Sequence, residues 1–298
     1  MTSQIGKYVG LALLLAMTAG GAAAKEVDWV SLNPAFKDAT FVKDPAACFS
    51  CHGDHEKPYA ATTHARLFKA GKAPASGDCG SCHGPRSKHV ENPSRELALS
   101  PAQQNTACLQ CHEGGGLMYW KSGRHASGDM SCVSCHTVMQ RKSEKALLAN
   151  KREDQTCYAC HGEVRGQMNK MSRHPVNEGK VSCSGCHNPH GSVAKGMLKG
   201  ASVSETCFQC HQEKRGPHIW VHPPVQESCQ NCHQAHGSNH RKLLNSKDPF
   251  LCMSCHTFGG HVNAPRYNRV SSLRGEGCVN CHMAIHGSNS PSGARLTR

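Results

Sequence analysis

The chain is 298 residues long with a formal charge of +13; aromatic residues make up 5 % of it, and the hydrophobic 38 % includes twenty cysteines. So few large apolar side chains cannot fill a core of ordinary size, and the apolar surface of the fold has to come from something other than amino acids. The basic balance invites a nucleic-acid reading, but no nucleic-acid-binding motif accompanies it, and nucleic acid is not expected as a partner.

Residues 1–24 read as a signal peptide. One lysine precedes an apolar stretch from Tyr8 to Met17, and small residues end in Ala22-Ala23-Ala24, with cleavage expected before Lys25. The stretch is shorter than the roughly 20 residues a membrane helix needs. No cysteine stands at the cleavage point, so no direct lipid anchor is expected. The mature chain is expected to be exported to the periplasm. After an N-terminal segment, residues 25–47, the cysteines begin. All twenty fall into Cys-x-x-Cys-His motifs: Cys48 and Cys51, Cys79 and Cys82, Cys108 and Cys111, Cys132 and Cys135, Cys157 and Cys160 in a first half spanning 48–180. Cys183 and Cys186, Cys207 and Cys210, Cys229 and Cys232, Cys252 and Cys255, Cys278 and Cys281 follow in a second half, 181–288, and residues 289–298 are expected as a flexible tail.

A zinc site or a disulfide framework would explain paired cysteines without a fixed following histidine. Here the next residue is always histidine: His52, His83, His112, His136, His161, His187, His211, His233, His256 and His282. That is the attachment signature of c-type haem, in which two thiols bind the macrocycle and the imidazole is the proximal iron ligand. Ten covalently bound haem c groups are therefore expected. Their propionates and ferric irons bring the mature charge to about +2 oxidised and about −8 reduced, so the basic side chains offset the cofactor. The expected fold is a multihaem cytochrome c: mostly loops and short α-helices, such as one over Ser143 to Lys151, wrapped around stacked haems, with almost no β.

Spacings of 22 to 31 residues between motifs mark a repeat. Its unit is a pair of motifs with a histidine in the spacer and another in the tail, as in CYACHGEVRGQMNKMSRHPVNEGKVSCSGCHNPHGS from Cys157 to Ser192. Spacer histidines are His64, His125, His174, His222 and His261; tail histidines are His89, His190, His236 and His286. These nine are expected as distal iron ligands, the tail histidines serving a haem other than their own. The fourth motif has Met139 where a tail histidine should stand. Either Met139 ligates through sulfur, which would raise that potential, or His55 supplies the tenth imidazole, which is preferred because methionine can simply pack. His218 and His240 are left as non-ligands. Irons closed by two imidazoles leave no position for substrate, so no catalytic residue is assigned and an electron carrier is expected. No dinucleotide fingerprint or nucleophile elbow argues otherwise.

Ten motifs, a cleavable signal and segments such as CGSCHGPRSKH (Cys79 to His89) and YWKSGRHASGDMSCVSCH (Tyr119 to His136) resemble the MtrA/DmsE/PioA family of periplasmic decahaem cytochromes. The resemblance covers Cys48 to His286. It implies an elongated haem chain inserted into an outer-membrane β-barrel protein. Such a chain carries electrons between periplasmic or inner-membrane donor cytochromes and an extracellular multihaem cytochrome or reductase. Even a compact globule of the mature length would be about 48 Å across, against a hydrocarbon core of about 30 Å. Two alternatives are a soluble periplasmic shuttle and a terminal haem reductase with one open haem.

Overall fold

The computed structural model describes residues 26–72, 76–256, 278–291 and 293–297. The expected signal peptide and His261 lie outside them. Among the described residues there is no strand, only isolated bridges between single residues. No helix among them is long and apolar enough to cross a membrane. Helix and loop is the architecture expected of a multihaem cytochrome.

The helices are short, and several that lead into a motif begin at a side-chain cap. In Pro101–Leu109 the Ser100 hydroxyl accepts from the Gln103 N–H, the Gln103 side chain accepts from the Ser100 N–H, and proline fills the first turn. Asp44 caps Pro45–Phe49 and Ser202 caps Val203–Phe208 in the same manner. Helices Pro45–Phe49, Pro101–Leu109, Glu153–Tyr158, Val203–Phe208 and Phe250–Met253 each carry the first cysteine of an odd-numbered motif. The even-numbered motifs sit on single turns: Gly80–His83, Cys132–Ser134, Cys183–Cys186, Cys229–Asn231 and Cys278–Asn280.

Among the described residues the clustered apolar core lies in the N-terminal part, with only scattered residues such as Trp120, Met168 and Val176 buried elsewhere. Trp29, Phe36, Leu97 and Ala107 are buried together, with Phe41, Leu32 and Leu99 against them. The N-terminal segment thus closes over the first pair of motifs and the helix that opens the second. Gly84 is the keystone of this contact: its φ of 76° is open only to glycine, and an added Cβ would lie 2.7 Å from Trp29 and 3.0 Å from Phe36. Gly84→Ala is therefore expected to lower stability by about 1–3 kcal/mol, read as an earlier thermal transition of the holoprotein. Gly53→Ala, with open space around its position, is the control.

The helix expected over Ser143 to Lys151 does not form. Ala146 and Leu147 both take positive φ, 58° and 49°, which breaks helical continuation. The Ser143 hydroxyl instead accepts from the Leu148 N–H and donates to the Lys145 carbonyl. The turn serves His136, as described below. Contacts also run across the boundary expected near Lys180. Glu153, in the first half, accepts from the N–H and hydroxyl of Ser184, in the second. The last described residues, taken in the sequence as tail, form the turn Gly293–Arg295 with Leu296 buried.

Candidate haem attachment and iron sites

Each motif is one turn closed on the carbonyl of its first cysteine. In all ten, the histidine N–H donates to the carbonyl of the first cysteine at 2.9–3.1 Å. That turn presents both thiols and the imidazole to the same side. Residues of all ten motifs line one continuous cavity of about 4400 Å³, several times the 300–1,000 Å³ or so of a site for one small ligand. The distal candidates His55, His64, His89, His125, His174, His190, His222, His236 and His286 line it too, as does Met139. His218 and His240 are not among its lining residues. His218 packs on Gly216 and Gly287, and the His240 N–H donates to Ser238.

The cysteines stand in chain order. Within each pair the two leading cysteines stand close enough to act on each other: Cys48 with Cys79, Cys108 with Cys132, Cys157 with Cys183, Cys207 with Cys229, Cys252 with Cys278. Between pairs it is the trailing cysteines that lie within electrostatic reach of one another: Cys82 with Cys111, Cys135 with Cys160, Cys186 with Cys210, Cys232 with Cys255. These nine proximities link the ten motifs in succession. Glu153 and Asp248 each join two cysteines in a cluster whose donor atoms lie within 4.8 Å. Both carboxylates are already engaged, Glu153 by Ser184 and Asp248 by the Cys278 N–H at 3.1 Å. They act as caps on the second motif's turn.

The imidazoles meet in facing pairs. Ring centroids are 6.1 Å apart in His52–His89, 5.9 Å in His64–His112, 6.1 Å in His136–His190 and 6.1 Å in His125–His161. The series continues with 6.0 Å in His187–His236, 6.3 Å in His174–His211, 6.1 Å in His233–His286 and 6.2 Å in His222–His256. Two rings whose nitrogens each lie about 2 Å from one metal ion stand this far apart once the ring radii are added. The residues present therefore fit an iron between each pair. His55 lies 6.3 Å from the His52 ring and is close enough to act electrostatically on His83, which no tail histidine faces.

A rule governs these pairings. A spacer histidine faces the first proximal histidine of the next pair, and a tail histidine faces the second proximal histidine of the previous pair. His89 has no previous pair and turns to His52. Burial, then the facing histidine, pushes the basicity of His64, His190, His222 and His236 down; burial takes His83 and His286 to about 4. The neutral imidazole so favoured is the form that binds metal.

The other ring nitrogen is held by backbone. His136, His187, His233 and His282 direct Nδ1 at the carbonyls of Ala146, Gly196, Lys242 and Arg295, at 2.7, 2.8, 2.8 and 2.6 Å. Three of these carbonyls come from turns with consecutive positive φ, Ala146-Leu147, Gly196-Met197 and Lys242-Leu243. Among the distal candidates, His89 reaches the Ser94 carbonyl at 3.0 Å, His125 that of Pro189 at 2.8 Å and His174 that of Ala235 at 2.7 Å. Each bond assigns the proton to Nδ1 and leaves Nε2 for iron. The sequence reading missed these carbonyls. The signal available was a leucine recurring 11 to 14 residues past the motif histidine, at Leu148, Leu198, Leu244 and Leu296.

Comparison with known proteins agrees with this geometry. The multihaem cytochrome MtrA of Shewanella baltica (strain OS185) is 35 % identical over 280 residues, covering 86 % of this chain and 82 % of that protein. The chain belongs to the MtrA family of multihaem cytochromes. The family described as doubled CXXCH motif also matches this MtrA-family cytochrome, at residues 125–166, 174–216 and 222–260. The high-molecular-weight cytochrome c of Nitratidesulfovibrio vulgaris (strain Hildenborough) is 24 % identical over 164 residues, 48 % of this chain and 26 % of that one. An MtrA-family chain binds haem c covalently and transfers electrons.

Proposed function

We propose that the chain binds ten haems and carries electrons between periplasm and cell exterior from within an outer-membrane β-barrel. The observation that supports this most directly is the single cavity lined by all ten motifs, along which neighbouring cysteines stay close from Cys48–Cys79 to Cys252–Cys278. It brings the attachment points of successive haems together, so the haems form one series in chain order. Haem supplies the one-electron iron couple. The cysteines fix each macrocycle, and the motif histidines are its proximal ligands. In this reading the distal ligands are His89, His55, His64, His190, His125, His236, His174, His286, His222 and His261, taken in haem order from the first to the tenth. Met139 is then a packing residue. Two imidazoles per iron close every position to substrate, which favours a carrier over a reductase.

Charged and haem-bearing surface cannot face lipid, so a chain reaching across the outer membrane requires a barrel around it. The partners on this reading are the barrel protein, periplasmic or inner-membrane donor cytochromes, and an extracellular multihaem cytochrome or reductase. Purification from native cells tests it. The expected result is recovery in the outer-membrane fraction with an integral barrel protein, and an intact mass showing ten haem additions. Recovery as a free periplasmic monomer would favour the soluble shuttle and defeat the conduit. Carbon monoxide binding by the untreated protein would point to a reductase.

A further inference from the structure

Carbonyl bracing of the imidazoles recurs along this chain, and two of the irons without it are adjacent. Seven of the expected irons, the first, fourth to eighth and tenth, have one of their histidines bonded through Nδ1 to a backbone carbonyl, as given above. At the ninth, the Ile285 carbonyl lies toward His222, but its buried Nδ1 makes no hydrogen bond, so this iron too is unbraced among the described residues. Among the described residues no such carbonyl reaches His83 or His55 at the second iron, or His112 or His64 at the third. The Nδ1 of His64 is buried and has no partner.

The cause lies in the tail of the second pair. Spacer histidines His125, His174 and His222 all turn Nδ1 toward the residue just before a tail histidine: Pro189, Ala235 and Ile285. Bridges Ser172–Ser238 and Trp220–Ser288 hold two of those tails in place. The equivalent residue for His64 is Val138, before Met139, and it makes no such bond. Thr62, at the position where Ser172 and Trp220 form their bridges, is instead fully buried as the cap of Thr63–Leu67. One altered tail therefore changes two neighbouring irons: it takes the tail histidine from the second and the brace from the third.

An Nδ1–H donated to a carbonyl gives the imidazole more anionic character, strengthens its donation and favours ferric iron. Without that bond the ferrous state gains. We propose that the haems at Cys79–Cys82 and Cys108–Cys111 are the first of the series to be reduced, so that electrons gather near the N-terminal end. Arg86, close enough to His83 to act on it electrostatically, favours the reduced state in the same direction. The competitors are the ninth iron, whose His222 lacks a bonded carbonyl but has no cationic side chain acting on it, and the eighth, where Lys214 and Lys242 act on His286; Glu213 opposes them and the Lys242 carbonyl braces His233.

The inference rests on the ligand assignment above, and the test separates the two. The full holoprotein is titrated with reductant and followed by NMR, with haem methyl signals assigned motif by motif. The expected result is that the second and third haems reduce first, each with at least a tenfold preference over the rest, equivalent to about 59 mV for one electron. Low-spin signals throughout with the eighth or any other haem leading would overturn this inference alone. A high-spin component at the second or third iron would overturn the ligand assignment as well. The quintuple variant Thr137→Asn, Val138→Pro, Met139→His, Gln140→Gly and Arg141→Ser copies the tail of residues 188–192. It should remove the lead of the third haem; an unchanged order would exclude the missing brace as its cause.

Discussion

His55→Ala is expected to open one iron of the series and Met139→Leu to open none. The tail position of the second pair should serve His83, and methionine stands there. His55 lies within electrostatic reach of that ring, while Met139, which also lines the cavity, can simply pack there. Loss of His55 should leave the second iron five-coordinate, read as a high-spin ferric signal and carbon monoxide uptake by a single haem. Loss of Met139 should change neither, and the parent protein should lack the near-infrared band of methionine bound to ferric iron. The reverse pattern, with Met139→Leu producing the high-spin haem, would make the site histidine–methionine and raise its potential.

A chain exported without haem attachment is expected not to fold. Its conventional core is one cluster around Trp29, Phe36, Leu97 and Ala107, while the remaining length surrounds a cavity of about 4400 Å³. Chain entropy of about 1–2 kcal/mol per ordered residue cannot be met by so small a buried cluster. Closure of facing imidazoles on iron, like other metal binding, is part of the folding free energy. Proteolysis and circular dichroism of the chain made without the attachment machinery should show rapid, uniform cleavage and no cooperative thermal transition. A protected haem-free core extending beyond residues 26–109 would contradict this.

Much of the site was legible because c-type attachment is written in contiguous residues: two thiols and an imidazole on one turn. The spacer and tail histidines were legible as ligand candidates because the repeat places them regularly. Their partners were not, since the pairing of His136 with His190 or His174 with His211 joins different units and depends on how units stack. The Ser143–Lys151 segment misled for a related reason. Its apolar spacing suits a helix, but Ala146 and Leu147 adopt strained backbone so that a carbonyl can reach His136. A local pattern could not reveal a demand made by a residue ten positions earlier. Polar caps such as Ser100 with Gln103, by contrast, act locally and can be seen in the residues themselves.

The pairing rule also has a direction in time. A chain emerging from its N-terminus delivers His125 before His161 and His174 before His211, so the first iron of each later pair finds its second ligand already present. The second iron does not: His136 must wait 54 residues for His190, His187 waits 49 for His236, and His233 waits 53 for His286. On the proposed ligand assignment, the second, third and fourth units are therefore each left during export with one half-coordinated iron until the next unit arrives. Assembly advances as a ratchet with a lag of one unit, and a chain cut between two pairs would expose an incomplete iron at its new end.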